Sequence, residues 1–174
     1  MGKQIIGRVD KKGDVIGGIE RWEAHKKGIL HRAFTLALIY KNFYVLQHRK
    51  HACFDGVFDI TSSSHQLVSN GKLEDTLESA RKCLFREWKI SKTEIGELKL
   101  KGAIYYEARD PKSIYTEHEI CDIVEIRVSK IPEPNYEFAY GSSLATKVEL
   151  ANRKSRIYSM LAPWVKVAIK KNLI

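Results

Sequence analysis

The longest apolar run in the chain is FTLALIY, Phe34 to Tyr40, and its length restricts what the rest can become. A helix needs about 20 apolar residues to cross a bilayer, so this run reads as one strand and no transmembrane helix is expected. A tight Lys41-Asn42 turn leads from HRAFTLALIY into a second strand, YVLQHRK. Upstream, IIGRVD–KKGD–VIGGIER reads as a hairpin with Gly13 at its turn. The short helical turn RWEAHKKG follows and stops at Gly28. The opening MGKQIIGRVDKKGD lacks the apolar core of a signal peptide.

Glu74 to Trp88, EDTLESARKCLFREW, is the clearest helix. Leu77, Ala80, Leu84 and Trp88 fall at i, i+3, i+7 and i+11 and form one apolar stripe, with Glu87 at its border. GVFDIT before it reads as a short strand ending at three serines. LKLKGAIYYEA and EHEICDIVEIRVS read as two more strands. A helix around LATKVELANRK comes next, and a last one is opened by Pro163 in its first turn. No repeat, low-complexity tract or linker interrupts this order, so one domain is expected over residues 1–174. A mixed sheet with a helix on each side, an α/β or α+β arrangement, is the natural packing.

Cys53, Cys83 and Cys121 make an odd count with no CxxC spacing. That points to a reducing cytoplasm and away from a disulfide framework or a Cys-rich zinc module. A formal charge of +9 calls for an anionic partner. Nucleic acid is the broad expectation and a phosphorylated small molecule the sharper one. The chain has no arginine-rich tail and no aromatic-basic ribonucleoprotein motif. Nothing in it fixes an oligomeric state.

The chemistry-bearing residues are scattered. His25 and His31 flank the start of the first long strand, and His65 follows the serines in FDITSSSH. Glu117 and Glu119 are two apart, so on a strand both carboxylates share a face while His118 points away. Imidazoles and carboxylates suit Zn²⁺, Mg²⁺ or Mn²⁺. Read singly, each His is better explained by a surface or hydrogen-bonded ring, the EHE triplet can be a charged edge strand, and Ser63 and Ser64 can be a polar loop.

HRAF (31–34), FDGVFDITSSSH (54–65), ESARKCLFREW and EHEIC (117–121) occur in an order that resembles the Nudix superfamily. Within it, the set is most similar to the type I isopentenyl-diphosphate isomerases, from about residue 5 to Trp164. The resemblance implies a Nudix fold and a divalent metal held by His25, His31, His65, Glu117 and Glu119. It also implies that Glu87 helps hold magnesium against a diphosphate. Glu119 falls at the family's acid–base Glu, Tyr106 at the Tyr near it, and Trp164 at the aromatic that faces positive charge. Arg21, Arg49 and Lys50 fall where the family binds diphosphate, a task suited to arginine forks. Core anchoring would explain Trp164 equally well, and a solvated surface would explain Arg21 and Arg49.

Two departures matter. The family's catalytic Cys aligns with Ser63, and a hydroxyl is a far weaker acid than a thiol with its pKa of about 8.5. A hydrolytic Nudix box, G-x5-E-x7-R-E-U-x-E-E-x-G-U, is also degraded here. Aligned on Glu74 and Glu87, this chain gives Val68, Glu74, Lys82, Cys83, Leu84, Arg86, Glu87, Lys89 and Ile90. Cys83 and Arg86 replace two acids that normally hold magnesium or act as base. The favoured expectation is an isomerase-like enzyme interconverting isopentenyl and dimethylallyl diphosphate. A Nudix hydrolase of another diphosphate comes second, and a non-catalytic nucleotide- or RNA-binding module third.

Overall fold

The computed structural model describes residues 3–91 and 94–174. Strands β1 (Ile5–Val9) and β2 (Val15–Glu20) form the expected hairpin, and Gly13 takes φ +93° at its turn. Helix α1 (Arg21–Lys27) follows and ends at Gly28, whose φ of 60° is the left-handed conformation that glycine adopts without penalty. The apolar run becomes β3 (His31–Tyr40), joined to β4 (Phe43–Arg49) by the Lys41-Asn42 turn.

β3 is the centre of the sheet. Along its whole length it pairs in parallel with β10 (Thr116–Val128), which in turn pairs antiparallel with β9 (Leu98–Arg109). Its other edge is shared by β1 at His31, by β6 (Ser62–Ser64) at Phe34–Leu36, and by β4 at Ile39 and Tyr40. Burial on both faces follows the period of two. Ala33, Ala37 and Ile39 face a core shared with Trp164, Val165 and Ala168 of α5 (Pro163–Lys170). Phe34, Leu36 and Leu38 face one shared with Ala80, Leu84 and Trp88 of α2 (Thr76–Trp88). The mixed sheet thus lies between α2 and α5, as the pattern predicted.

Several boundaries differ from the sequence reading. GVFDIT keeps only Phe58–Asp59 as a strand, β5, and the serines are not loop: they are β6 itself. Backbone pairing of Ser62, Ser63 and Ser64 with Leu36, Thr35 and Phe34 overrides their poor strand propensity. α2 begins at Thr76, because the Asp75 carboxylate accepts the amide hydrogens of Leu77 and Glu78 as N-cap. A short hairpin of β7 (Val68–Ser69) and β8 (Lys72–Leu73), absent from the reading, precedes it. The predicted helix over 144–154 shrinks to α3 (Lys147–Ala151), capped by Thr146 and Glu149. Residues 144–146 close β11 (Ala139–Thr146), an unpredicted strand paired with β4, and α4 (Arg156–Met160) is also new.

Candidate metal and anion site

Three elements bring the His/Glu set together. His25 sits on the last turn of α1, His31 is the first residue of β3, and Glu119 pairs with His31 across the parallel β3–β10 register. Glu117, two residues back, shares the face, and its neighbour His118 points away to Gly28 O and Tyr105 Oη. His65 arrives on the segment after β6. That segment is tied down by Gln66, whose amide reaches Ala33 O at 3.4 Å, Thr76 Oγ1 at 3.0 Å and Asp122 Oδ2 at 3.3 Å. Asp122 also accepts from Arg32 at 2.6 Å and from Thr76 at 2.7 Å. One ligand atom from each of His25, His31, His65, Glu117 and Glu119 lies within 4.8 Å of every other.

The contacts inside this cluster leave lone pairs facing one another. His25 Nδ1 lies 2.6 Å from Arg21 O and His31 Nδ1 2.7 Å from Ile29 O. A carbonyl only accepts, so both rings carry hydrogen on Nδ1, and as neutral rings both present a bare Nε2 to the cluster. His31 Nε2 meets His65 Nε2 at 3.2 Å, and His25 Nε2 meets Glu117 Oε2 at 3.0 Å. Buried Glu117 Oε2 still lacks a hydrogen-bond partner among the described residues. Three imidazole nitrogens and two carboxylates with this unmet demand fit a divalent cation.

The charges respond to the crowding. Burial pushes the His65 ring well below its ordinary pKa, and His31 and His25 push it further. His25 goes the other way: burial opposes its charge, but Glu117 outweighs burial and raises it. Burial would raise Glu119, yet hydrogen bonds from His31 and Tyr106 hold it below the usual carboxylate range. Burial and then Glu119 push the Tyr106 phenol well above its usual value, so Tyr106 stays a donor to Glu119 Oε2.

This cluster forms one wall of a cavity of about 260 Å³. Of the residues that the resemblance assigned to the site, all but His31 line it: Arg21, His25, Arg49, Lys50, Ser63, His65, Glu87, Tyr106, Glu117, Glu119 and Trp164. Trp164 is 1% exposed and is both core anchor and cavity wall. Its Nε1 donates to Asp59 Oδ1 at 2.9 Å, and its ring lies 5.8 Å from that of Tyr106. Arg49 is not solvated surface. It is buried, donates to Asp59 Oδ2 at 2.8 Å and lies 5.1 Å from the Trp164 ring. Lys50 stands on the exposed rim, and Arg21 is half-buried over Trp22.

Glu87 lies outside the five-residue cluster. It is fully buried and accepts from Arg86 at 2.6 Å and from Gln47 at 3.2 Å. Burial opposes its charge, but His51 and Arg86 overcome that and lower its pKa. Ser63 shares a hydrogen bond of 2.8 Å with Thr35 Oγ1, which lies 3.3 Å from Cys121 Sγ. None of the three thiols takes the place of Ser63: Cys83 and Cys121 are fully buried, and Cys53 lies by Glu117. Burial pushes all three thiols up. Trp22, His51 and Phe138 also line the cavity and went unread in the sequence, which marks them with no motif; Cys53 lines it too, and the sequence marked it only as one of three thiols.

Among solved structures, the chain is similar over 97% of its length and 98% of the other chain to DR0079 from Deinococcus radiodurans, with 16% identity and a TM-score of 0.71. A Nudix hydrolase from M. smegmatis, RenU, matches over 98% of this chain and 92% of its own, at 12% identity and a TM-score of 0.51. No family model matches the sequence, and no curated protein does. The likeness is one of architecture: the chain has the Nudix fold, a mixed sheet between helices.

Proposed function

We propose that the chain is a divalent-metal-dependent enzyme acting on a small-molecule diphosphate, and that it interconverts isopentenyl and dimethylallyl diphosphate. The observation that carries this reading is the double engagement of Glu119. One of its oxygens belongs to the His/Glu cluster while the other accepts from Tyr106, beside the ring of Trp164. When bound, a divalent cation would neutralise the crowded donors and polarise oxygen ligands of the substrate. Glu119, once protonated, gives a proton to the terminal alkene carbon, and the carboxylate so formed takes one from the carbon nearer the diphosphate, so the proton count balances; Tyr106 fixes the orientation of that carboxylate. The Trp164 and Tyr106 rings offer negative faces to the positive charge that develops on the carbon skeleton. Arg49, held by Asp59, sets the position of Trp164, while Arg21 and Lys50 supply cations to the diphosphate.

Ser63 favours a second reading, hydrolysis of a diphosphate. Its hydroxyl cannot replace a thiol as proton donor near neutral pH, and no thiol among the described residues stands in for it. Against hydrolysis by the usual route, the helix that would carry the acids has Cys83 and Arg86 in their place.

Incubating the metal-loaded chain and Ser63→Cys with isopentenyl diphosphate in deuterated water, read by NMR, tests both. Deuterated dimethylallyl diphosphate from the wild type is the expected result. Turnover by Ser63→Cys alone would mean an isomerase frame whose present activity lies elsewhere. Phosphate release without exchange would replace the isomerase reading with hydrolysis, and silence from both proteins would end the isoprenoid proposal.

A further inference from the structure

At the end of the cavity away from the His/Glu cluster, Arg86 is a cation that the isomerase reading leaves unused. Arg86 replaces an acid of the Nudix box on α2, and its side chain is 39% exposed while its partner Glu87 is fully buried. One nitrogen, Nη2, makes all its polar contacts: Glu87 Oε1 at 2.6 Å, Ser64 Oγ at 3.3 Å and Cys83 Sγ at 3.5 Å. Among the described residues, Nε and Nη1 donate to nothing, although a guanidinium is built to offer two parallel donors to a phosphoryl group. The Phe138 ring centroid lies 5.5 Å from the guanidinium carbon.

Arg21 faces the same space. Its Nη1 donates to the neutral Gln4 Oε1 at 2.7 Å, and no carboxylate among the described residues ion-pairs with it. Arg21 and Arg86 line both the main cavity and a smaller cleft that opens beside it. Burial lowers the pKa of Arg21, and the like charge of Arg86 lowers it further. Two half-buried cations that repel each other across a cleft are stabilised by an anion between them. Glu87 cancels only one of these charges.

We propose that Arg86, together with Arg21, holds the terminal phosphoryl group of a diphosphate directly, with a fixed guanidinium in place of the cation that an acidic Nudix helix would bind. The inference rests on the diphosphate reading of the cavity and sharpens it: the enzyme needs metal at the His/Glu cluster and none on α2. A guanidinium cannot be chelated away, so this end of the cavity keeps its anion affinity without metal.

The test is calorimetric titration of inorganic pyrophosphate into the full chain, first with EDTA and then with Mg²⁺. Wild type should bind in EDTA, and Arg86→Ala should bind about tenfold or more weakly. Arg86→Lys keeps the charge and the contact with Glu87 but loses the fork, and should fall between the two. Arg86→Glu should bind only when Mg²⁺ is present. Thermal denaturation establishes that each variant is folded, and Arg86→Lys keeps the test decisive if Arg86→Ala is not. Equal affinity of wild type and Arg86→Lys in EDTA, with Arg86→Ala either equal or unfolded, overturns the inference. Wild-type binding that requires added metal overturns it too, while leaving the proposed function standing. Absence of binding under both conditions overturns both.

Discussion

At one end of the cavity, three imidazoles and two carboxylates crowd together with bare nitrogens and oxygens facing each other. At the other, a single buried carboxylate, Glu87, is covered by Arg86 and Gln47. Both ends hold buried acid, yet only one holds its own cation. The ion pairs of Glu117 and Glu119 are with histidines alone among the described residues, so that end must borrow positive charge from protons or from an ion. The helix end has been neutralised by the chain itself. On this contrast, a divalent cation is expected at the His/Glu end and not beside Glu87.

The largest effect is expected from breaking the unpaired end. His31→Ala should lower divalent-metal affinity by at least about a hundredfold, measured by metal content after dialysis, and activity should fall with it. Retained metal in this variant would remove the contrast between the two ends.

Metal should also show itself as stability. At one hundred times its dissociation constant, a metal that binds only the folded state adds about 2.7 kcal/mol. Thermal denaturation with metal and with EDTA should reveal that difference in wild type and show none in His31→Ala. A smaller effect is expected from the neutralised end. Glu87→Ala leaves Gln47 and Arg86 without their acceptor and should cost about 2 kcal/mol, with metal content unchanged. Loss of metal in Glu87→Ala would make the two ends one centre.

His51, on the wall between them, should give the smallest change. Its pKa is depressed to about 3, by burial and then by Arg49, against about 6.5 for a free imidazole. Below that value the unfolded chain takes up a proton that the folded chain refuses. Stability from the neutral ring is therefore present above about pH 6.5 and lost progressively as pH falls toward 3. Between pH 6.5 and 5.5, His51→Asn should lose about 1 kcal/mol less than wild type in chemical denaturation. Parallel curves would place the His51 ring in water.

Local pattern was enough for the elements that carry their own signal. The apolar run of β3 and the period-3.6 stripe of α2 are each set by burial of neighbours in sequence, and both were legible. Gly28 and Pro163 marked helix ends because their backbone preferences act locally. The serines of β6 carry no such signal. Ser62–Ser64 are a strand only because β3 offers them an unpaired edge, and β11 is a strand only because β4 does. LATKVELANRK read as helix for the same reason: its period was local, while the pairing of residues 144–146 came from a strand about 100 residues earlier.

The candidate site divides the same way. The sequence by itself determined the residue types and the i, i+2 spacing that puts Glu117 and Glu119 on one face, while their grouping with His25, His31 and His65 was what the resemblance implied. Its resemblance to the Nudix superfamily set Cys83 and Arg86 against acids of the hydrolytic box and Ser63 against the thiol of the isomerases. Only the tertiary structure decided that Glu119 lies opposite His31, that Arg49 belongs to Asp59, and that Arg86 neutralises Glu87 while keeping donors free. The physical reason is that charge pairing acts through space over a few ångströms. Which acid meets which base is therefore fixed by strand register and helix docking, neither of which residue type or spacing encodes.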